Sequence, residues 1–355
     1  MARDLRREIR RGLGVTAPLL ALIAILGACG SPAPTERPPV QFTEASRPQG
    51  GDKFPNWPEH PHVIEKELPQ ALASGDYKVV SEKQTAAGIT GAAEVTLSLA
   101  AIDKELTFKW KEAIPARLDQ DNNSPRREIA VYQVQRLFLD PEDYVVPTSL
   151  MYCVPLEEVR KKDKNKAPSV PGTNCVLGNL SVWLQNVTQP DPLFEEVRFL
   201  KDPSYAYFMA NIGLLTFLVS HHDGKPSNWL ASKEENRRQV FVVDNGVSFR
   251  AWPHNPFATN WDVIRVPAFR KDSVDRLRKI KREDLDVLGV VAQLETNDDG
   301  VFMSVPPGEN LDPKRGVRIS DGTVQFGLTT GELGDLWQRI QQVIGEVDDG
   351  TLPVF

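Results

Sequence analysis

The sequence lacks a surplus of positive charge, a rich supply of cysteine and an apolar run long enough to cross a membrane. It has 48 Asp and Glu against 42 Lys and Arg, a formal net charge of −6, which argues against a nucleic-acid-binding surface. Its three cysteines allow one disulfide at most. The apolar segment from Val15 to Leu26 is too short to span a bilayer comfortably, so a transmembrane anchor is the weaker interpretation of the N-terminus.

The first 29 residues are typical of an export signal. An Arg-rich head precedes the apolar segment, which closes in small residues and Cys29. This pattern resembles a bacterial lipoprotein signal, in which Cys29 becomes the lipidated N-terminus after cleavage. Gly30 stands where inner-membrane lipoproteins carry Asp, so the resemblance implies attachment to the outer membrane, facing the periplasm or the exterior. The pair Arg10-Arg11 leaves the export route, general or twin-arginine, open.

Composition divides the rest of the chain into a linker and a folded part. Residues 30–65 are rich in Pro, with Gly, Ser and charge mixed in, and show no sustained periodicity, which predicts a tether between lipid and domain. The remaining ~290 residues suffice for one bilobal domain with an ample core. We expect a first lobe and its hinge over residues 66–184, a second lobe over residues 185–355, and a monomer.

Cys153 and Cys175 remain once Cys29 is lipidated, and they flank a polar segment from Glu157 to Thr173. In an oxidising compartment this arrangement predicts a disulfide, which would stabilise the fold by about 3 kcal/mol in the chain-entropy model. Two separate buried thiols are the alternative.

The stretch 221–246 contains the groups that phosphoryl transfer from a nucleotide needs. It begins His-x-Asp-x-Lys-Pro-x-Asn, continues into a β-favouring run and ends in Asp-Asn-Gly. One carboxylate must orient the acceptor hydroxyl, and an amide with a second carboxylate must hold the divalent cations that bridge the phosphates. Asp223 suits the first role, and Asn228 and Asp244 suit the second. A buried helix end with a polar loop and an ordinary hairpin is the alternative, which leaves their co-occurrence unexplained.

This motif resembles the catalytic loop and metal-binding triplet of protein kinases, and its Asp-Asn-Gly ending is similar to the secretory-pathway kinases of the Golgi casein kinase type. His222 replaces the usual Arg, which removes the clamp for a phosphorylated activation loop. The resemblance implies an α+β, bilobal protein-kinase-like fold, with one helix in a β-rich first lobe and a mainly helical second lobe. It also implies ATP or another nucleotide with Mg²⁺ or Mn²⁺, Asp223 as the catalytic base and Lys225 as the amine that steadies the transferring phosphoryl group.

Upstream, the predicted strand from Leu106 to Lys111 carries Lys109 and Lys111 on one face. A kinase-like domain needs one lysine here to hold the α and β phosphates, and periodicity cannot choose between the two. The resemblance to the Golgi-type kinases favours Lys109. Glu128, in the helix that follows, lies on the side that would meet the sheet and is the expected partner of Lys109. It also suits the helix dipole as an acidic first-turn residue.

Weaker patterns complete the two lobes. Gly88 and Gly91 lie between two predicted strands, which predicts either a hairpin over the phosphates or a plain surface hairpin. Ser124 and Pro125 are expected to open the helix of Glu128, and a mostly buried helix from 204 to 220 is expected to deliver the catalytic loop. Further helices are predicted over residues 271–281, 282–295 and 330–343.

Together these features predict an exported, lipid-anchored phosphotransferase that moves the γ-phosphate of a nucleotide to a hydroxyl group of a protein or a small molecule. Nucleotide triphosphate is scarce outside the cytoplasm, which keeps a second hypothesis open. In that hypothesis the chain is a catalytically inactive kinase-like lipoprotein that binds an envelope partner. The presence of all the catalytic residue types argues against it.

Overall fold

The computed structural model describes residues 39–40, 67–68, 70–72, 76–85, 92–113, 118, 124–233, 239–249, 261 and 266–355. Within these residues the chain has the predicted α+β composition, and its sheets are antiparallel. No helix in these ranges is long and apolar enough to cross a membrane. The predicted signal segment with Cys29 and the predicted hairpin glycines Gly88 and Gly91 lie outside the described residues.

The first sheet contains five strands in the spatial order β1-β2-β3-β5-β4. These strands are β1 (Tyr77–Gln84), β2 (Ala93–Leu99), β3 (Lys104–Glu112), β4 (Ser149–Pro155) and β5 (Cys175–Val182). Every second residue of β2 is buried, the alternation expected of a strand with one face on a core. Leu106 and Phe108 of β3 join that core, so the two lysines of β3 lie on the opposite face.

Helix α1 (Pro125–Gln135) connects β3 to β4. Ser124 is its N-cap residue and Pro125 its first residue, as predicted, although the Ser124 hydroxyl donates to the backbone oxygen of Leu118 rather than accepting from the helix. Ten of its eleven residues are buried. A helix covered on nearly all sides is fixed by packing from more than one direction.

Helix α4 (Pro203–Leu218) is the buried helix predicted before the catalytic loop. It follows two short helices, α2 (Leu156–Arg160) and α3 (Glu196–Lys201). Asp202 caps α4 by accepting hydrogen bonds from the backbone N–H groups of Ser204 and Tyr205, both at 3.1 Å. Beside α4 lies a three-stranded sheet in the order β6-β7-β8, formed by β6 (Val187–Thr188), β7 (Trp229–Ser232) and β8 (Val240–Val242).

A four-stranded sheet near the C-terminus has no counterpart among the predicted elements. It has the order β10-β9-β12-β11 and contains β9 (Ala292–Thr296), β10 (Phe302–Val305), β11 (Val317–Ser320) and β12 (Thr323–Phe326). Helix α5 (Lys271–Leu277) precedes it and helix α6 (Thr330–Asp348) follows it. The predicted helix over 282–295 is therefore wrong, since Arg282–Gly289 is a 3-10 helix and β9 follows.

The apolar faces of the C-terminal sheet explain this correction. Leu294, Phe302 and Phe326 share one core with Ile129 of α1 and Leu177 of β5. These short strands are stabilised by residues that are distant in the chain, and a local window of sequence does not contain that information. The predicted second lobe is consequently less helical than expected.

Cys153 on β4 and Cys175 on β5 form the predicted disulfide, with Cα atoms 5.5 Å apart. Both cysteines belong to the core between the first sheet and the C-terminal sheet. The alternative of two separate thiols is excluded.

Candidate functional site

The loop 221–228 follows α4 and is closed by hydrogen bonds between its own residues. Asn228 Nδ2 donates to the backbone oxygen of Asp223 at 2.9 Å and to Asp223 Oδ2 at 3.0 Å. Both side chains are buried, and this pairing satisfies part of their hydrogen-bonding capacity. Lys225 Nζ lies 3.2 Å from Asp223 Oδ2 and is more exposed. The three predicted loop residues therefore lie together.

Strand β8 brings Asp244 to this loop. Val243 N donates to the backbone oxygen of Asn228 at 2.9 Å, and β7, which starts directly after Asn228, pairs with β8. Asp244 has a left-handed backbone, with φ 62° and ψ 53°. Few residues other than glycine adopt this conformation, although Asp tolerates it better than most. Such a backbone persists where the surrounding contacts hold it, and it is common at functional sites.

Two lysines of β3 converge on the Asp244 carboxylate. Lys111 Nζ donates to Asp244 Oδ1 at 2.8 Å, and Lys109 Nζ lies 3.6 Å from the same oxygen. The predicted partner of Glu128, Lys109, is replaced by Lys111, whose Nζ lies 3.9 Å from Glu128 Oε1. Residues that share a face of a strand are ~7 Å apart, so the position of α1 along β3 selects the lysine. The alternation of β3 contains no information about that position.

Glu128 also binds the backbone that follows Asp244. Its Oε2 accepts a hydrogen bond from Asn245 N at 2.7 Å, and its Oε1 accepts one from Gly246 N at 3.1 Å. These N–H groups open the 3-10 turn Asn245–Val247, where the first donors have no partner within the turn. One buried carboxylate thus connects helix α1, strand β3 and the turn after Asp244. The sequence contains no signal for this contact because backbone groups provide the donors.

The charges of this cluster shift one another's pKa values. Burial alone would raise the pKa of the Asp244 carboxyl, but the ammonium groups of Lys111 and Lys109 hold it well below its ordinary value. Burial alone would lower the pKa of Lys111, but the carboxylates of Asp244 and Glu128 raise it. Burial raises the pKa of Glu128, against the opposing effects of Lys111 and the Asn245 N–H. Lys111 and Asp244 therefore remain charged at neutral pH.

His221 is a buried residue at the start of the loop 221–228. It is fully buried, and burial lowers its pKa to about 4, although Asp223 and Asp244 act in the opposite direction. Trp261 N donates to its backbone oxygen at 2.8 Å, while its ring nitrogens have no hydrogen-bond partner in the part of the chain that the structure describes. His221 is therefore neutral at physiological pH and packs as a structural residue.

The predicted metal ligands, Asn228 and Asp244, offer one amide and one carboxylate. Mg²⁺ prefers oxygen donors and is usually held by one or two carboxylates, with substrate phosphates and water completing its shell. This donor set fits a cation that binds together with a nucleotide. Among the described residues, no group of three or more His, Cys, Asp or Glu side chains could hold a metal ion by itself. The Asp244 side chain is 23% exposed, so a ligand can reach it.

The predicted site residues within the described ranges meet where β3, α1 and the loops after α4 and β8 come together. They are Asp223, Lys225, Asn228, Asp244, Lys109 and Glu128, and Lys111 joins them. The one sequence signal for Lys111 is that it shares a strand face with Lys109. No protein-family model matches the chain, and no curated protein matches its sequence.

Proposed function

We propose that the chain is a protein-kinase-like phosphotransferase that transfers the γ-phosphate of a nucleotide to a hydroxyl group. The observation that carries this proposal is the chain of contacts from Glu128 through Lys111 to Asp244. A helix, a strand and a loop each supply one charged group to it, and all three groups are largely buried. Buried charges are costly to maintain unless they are paired, and strongly shifted pKa values concentrate at functional sites.

The order of the elements supports the bilobal kinase-like fold that belongs to this proposal. Strands β1 to β5, with α1 between β3 and β4, supply the lysines and Glu128. The loop at 221–228, which follows α4, and the loop at 244–246 supply two carboxylates and one amide. The C-terminal four-stranded sheet is an addition that the kinase resemblance does not imply.

In this proposal, Asp223 orients the acceptor hydroxyl and accepts its proton. Lys225, beside Asp223, steadies the transferred group. Asn228 and Asp244 hold Mg²⁺ or Mn²⁺, which when bound would neutralise charge on the phosphates. Lys111 has the glutamate partner that the resemblance assigns to the phosphate-binding lysine, so we transfer that role from Lys109 to Lys111. Lys109 adds a second amine on the same face.

The proposed location is the cell envelope, with Cys29 as the lipid anchor and residues 30–65 as the tether. The disulfide between Cys153 and Cys175 supports this location, because such bonds persist in oxidising compartments. The acceptor in this setting is a hydroxyl group of an exported protein or of a small molecule.

Nucleotide binding is tested by thermal unfolding of the full chain with ATP and Mn²⁺. A ligand present at 100 times its Kd stabilises by about 2.7 kcal/mol, which at about 2 °C per kcal/mol raises the Tm by about 5 °C. Asp244→Asn should abolish the shift, since it removes the charge that holds the cation. Asp275→Asn, a change in an ion-paired residue of α5, is the matched control and should keep it.

Catalysis is tested separately by transfer of labelled phosphate from ATP to the chain itself or to added hydroxyl acceptors. Asp223→Asn should retain the Tm shift and lose the transfer, because binding does not need the base. A wild-type chain that shows no Tm shift would refute nucleotide binding. A shift without any transfer would favour the inactive kinase-like binding module instead.

A further inference from the structure

Two arginines of α1 point away from the proposed active site and into the C-terminal part of the chain. Arg126 and Arg127 directly precede Glu128, and both are buried. Burial of two adjacent guanidinium groups is costly unless charged partners compensate for it. A charged partner must therefore anchor these two side chains.

That anchor is the carboxylate of Glu332. Arg126 binds it with both terminal nitrogens, Nη1 to Oε2 at 2.7 Å and Nη2 to Oε1 at 3.0 Å. Arg127 Nη2 reaches Oε1 at 2.9 Å. A bidentate pair with a second guanidinium on the same carboxylate is a strong and directional arrangement. Burial alone would raise the pKa of Glu332, but the two arginines hold it at about 2.

Glu332 is itself held in place at the start of helix α6. Thr329 N donates to Glu332 Oε2 at 2.9 Å, and Glu332 N donates to Thr329 Oγ1 at 3.2 Å, which forms a capping box. The carboxylate that binds α1 is thus rigidly attached to a helix of nineteen residues.

The surroundings of Arg126 are shaped for it. Its Nη1 also donates to the backbone oxygen of Gly327 at 3.1 Å, and a Cβ atom at Gly316 would collide with its guanidinium group. These glycines flank the strands β11 and β12, so the C-terminal sheet forms the walls of the arginine site. Packing and charge pairing therefore agree on one position for α1.

On the proposed function, we infer that Glu332 is a positioning residue of the active site. It fixes α1 through Arg126 and Arg127, and α1 in turn holds Glu128 against the backbone N–H groups of Asn245 and Gly246. Because Arg126, Arg127 and Glu128 are consecutive residues of one helix, a displacement of the arginines displaces the glutamate. The C-terminal sheet and α6 thereby hold the site assembled without a separate activating event.

Hydrogen exchange of the Asn245 and Gly246 amides tests this inference directly. In the full-length Glu332→Gln variant the exchange of a peptide covering 244–249 should be about tenfold faster or more, equivalent to about 1.4 kcal/mol of lost local stability. Gln342→Ala is the matched control: it removes an exposed side-chain hydrogen bond of α6, to Glu346, and leaves Thr329, Glu332 and the two arginines unchanged. Its exchange at 244–249 should match the wild type.

A second readout is the Tm shift caused by ATP and Mn²⁺, which should shrink in Glu332→Gln and persist in Gln342→Ala. If Glu332→Gln fails to fold, Arg127→Lys takes its place, because it keeps the charge and removes the guanidinium fork. Unchanged exchange at 244–249 in a folded variant overturns the inference. If exchange is faster in the variant but the wild type shows no Tm shift with ATP and Mn²⁺, the proposed function is refuted. The positioning role of Glu332 then still stands.

Discussion

Lys111→Met should destabilise the chain far more than the same substitution at Lys109. Methionine keeps most of the stem volume of lysine and removes the ammonium group. The Lys111 side chain is 10% exposed and contacts both Asp244 and Glu128. The Lys109 side chain is 26% exposed and lies 3.6 Å from Asp244. The two variants therefore compare a buried charge pair with a more solvated one on the same strand face.

The expected magnitudes differ clearly. Removal of one partner from a buried ion pair costs about 3–5 kcal/mol, because the remaining charge is left buried and uncompensated. At about 2 °C per kcal/mol for a domain of this size, Lys111→Met should lower the Tm by about 6–10 °C. A solvated pair contributes about 0–1 kcal/mol, so Lys109→Met should lower the Tm by at most about 2 °C.

Thermal unfolding at two pH values provides the assay. At pH 5 the carboxylates released in Lys111→Met can bind protons more readily than at pH 8, so the loss of stability should be smaller at pH 5. Lys109→Met should show no such difference. Equal losses in the two variants, or a larger loss in Lys109→Met, would refute the assignment of Lys111 as the partner that joins Glu128 to Asp244.

Two further predictions concern residues outside the charge cluster. His221 has a pKa near 4 when folded against an ordinary value of 6.5, so the stability it contributes is present above pH 6.5 and is lost as the pH falls towards 4. We expect the free energy of unfolding to fall by about 2 kcal/mol between pH 7 and pH 5, measured by urea unfolding. The His221→Leu substitution should remove this fall. The double substitution Cys153→Ala and Cys175→Ala opens a disulfide with a sequence separation of 22 and should cost about 3 kcal/mol.

For His221, the difference between variant and wild type isolates this residue from other groups that titrate in the same range. A variant that keeps the full pH dependence would contradict the assignment of a buried, neutral imidazole. For the disulfide, the Cys153→Ala and Cys175→Ala double variant should still show the ATP and Mn²⁺ shift of its Tm. Wild-type stability in that variant would show that the surrounding core alone determines the packing of the two sheets.

The local elements of the site follow from the sequence for identifiable reasons. The helix predicted over 204–220 from its apolar residues at helical spacing is observed as α4, Pro203–Leu218. Asp223, Asn228 and Asp244 are candidate site residues in the sequence because their order and spacing resemble the protein-kinase motif. The disulfide between Cys153 and Cys175 is predictable because no other cysteine remains to compete for either thiol.

The C-terminal sheet is the part of the fold that local patterns predict incorrectly. In 282–295 the apolar residues Leu285 and Leu288 are three positions apart. This spacing matches helical periodicity over one turn only. Val290 and Val291 then lead into a strand whose buried face contacts the disulfide core and α1. Contacts between residues more than a hundred positions apart decide this outcome.

The sequence by itself determined which chemical groups this protein can bring to a site: two acids, one amide, three lysines and a helical glutamate, each on an element with a recognisable pattern. The tertiary structure alone decided which of them touch. Residues two apart on a strand are equivalent in any periodic pattern, so only the placement of α1 joins Glu128 to Lys111. In that placement Arg126 and Arg127 bind Glu332, which lies about two hundred residues further along the chain. No local spacing reveals this contact.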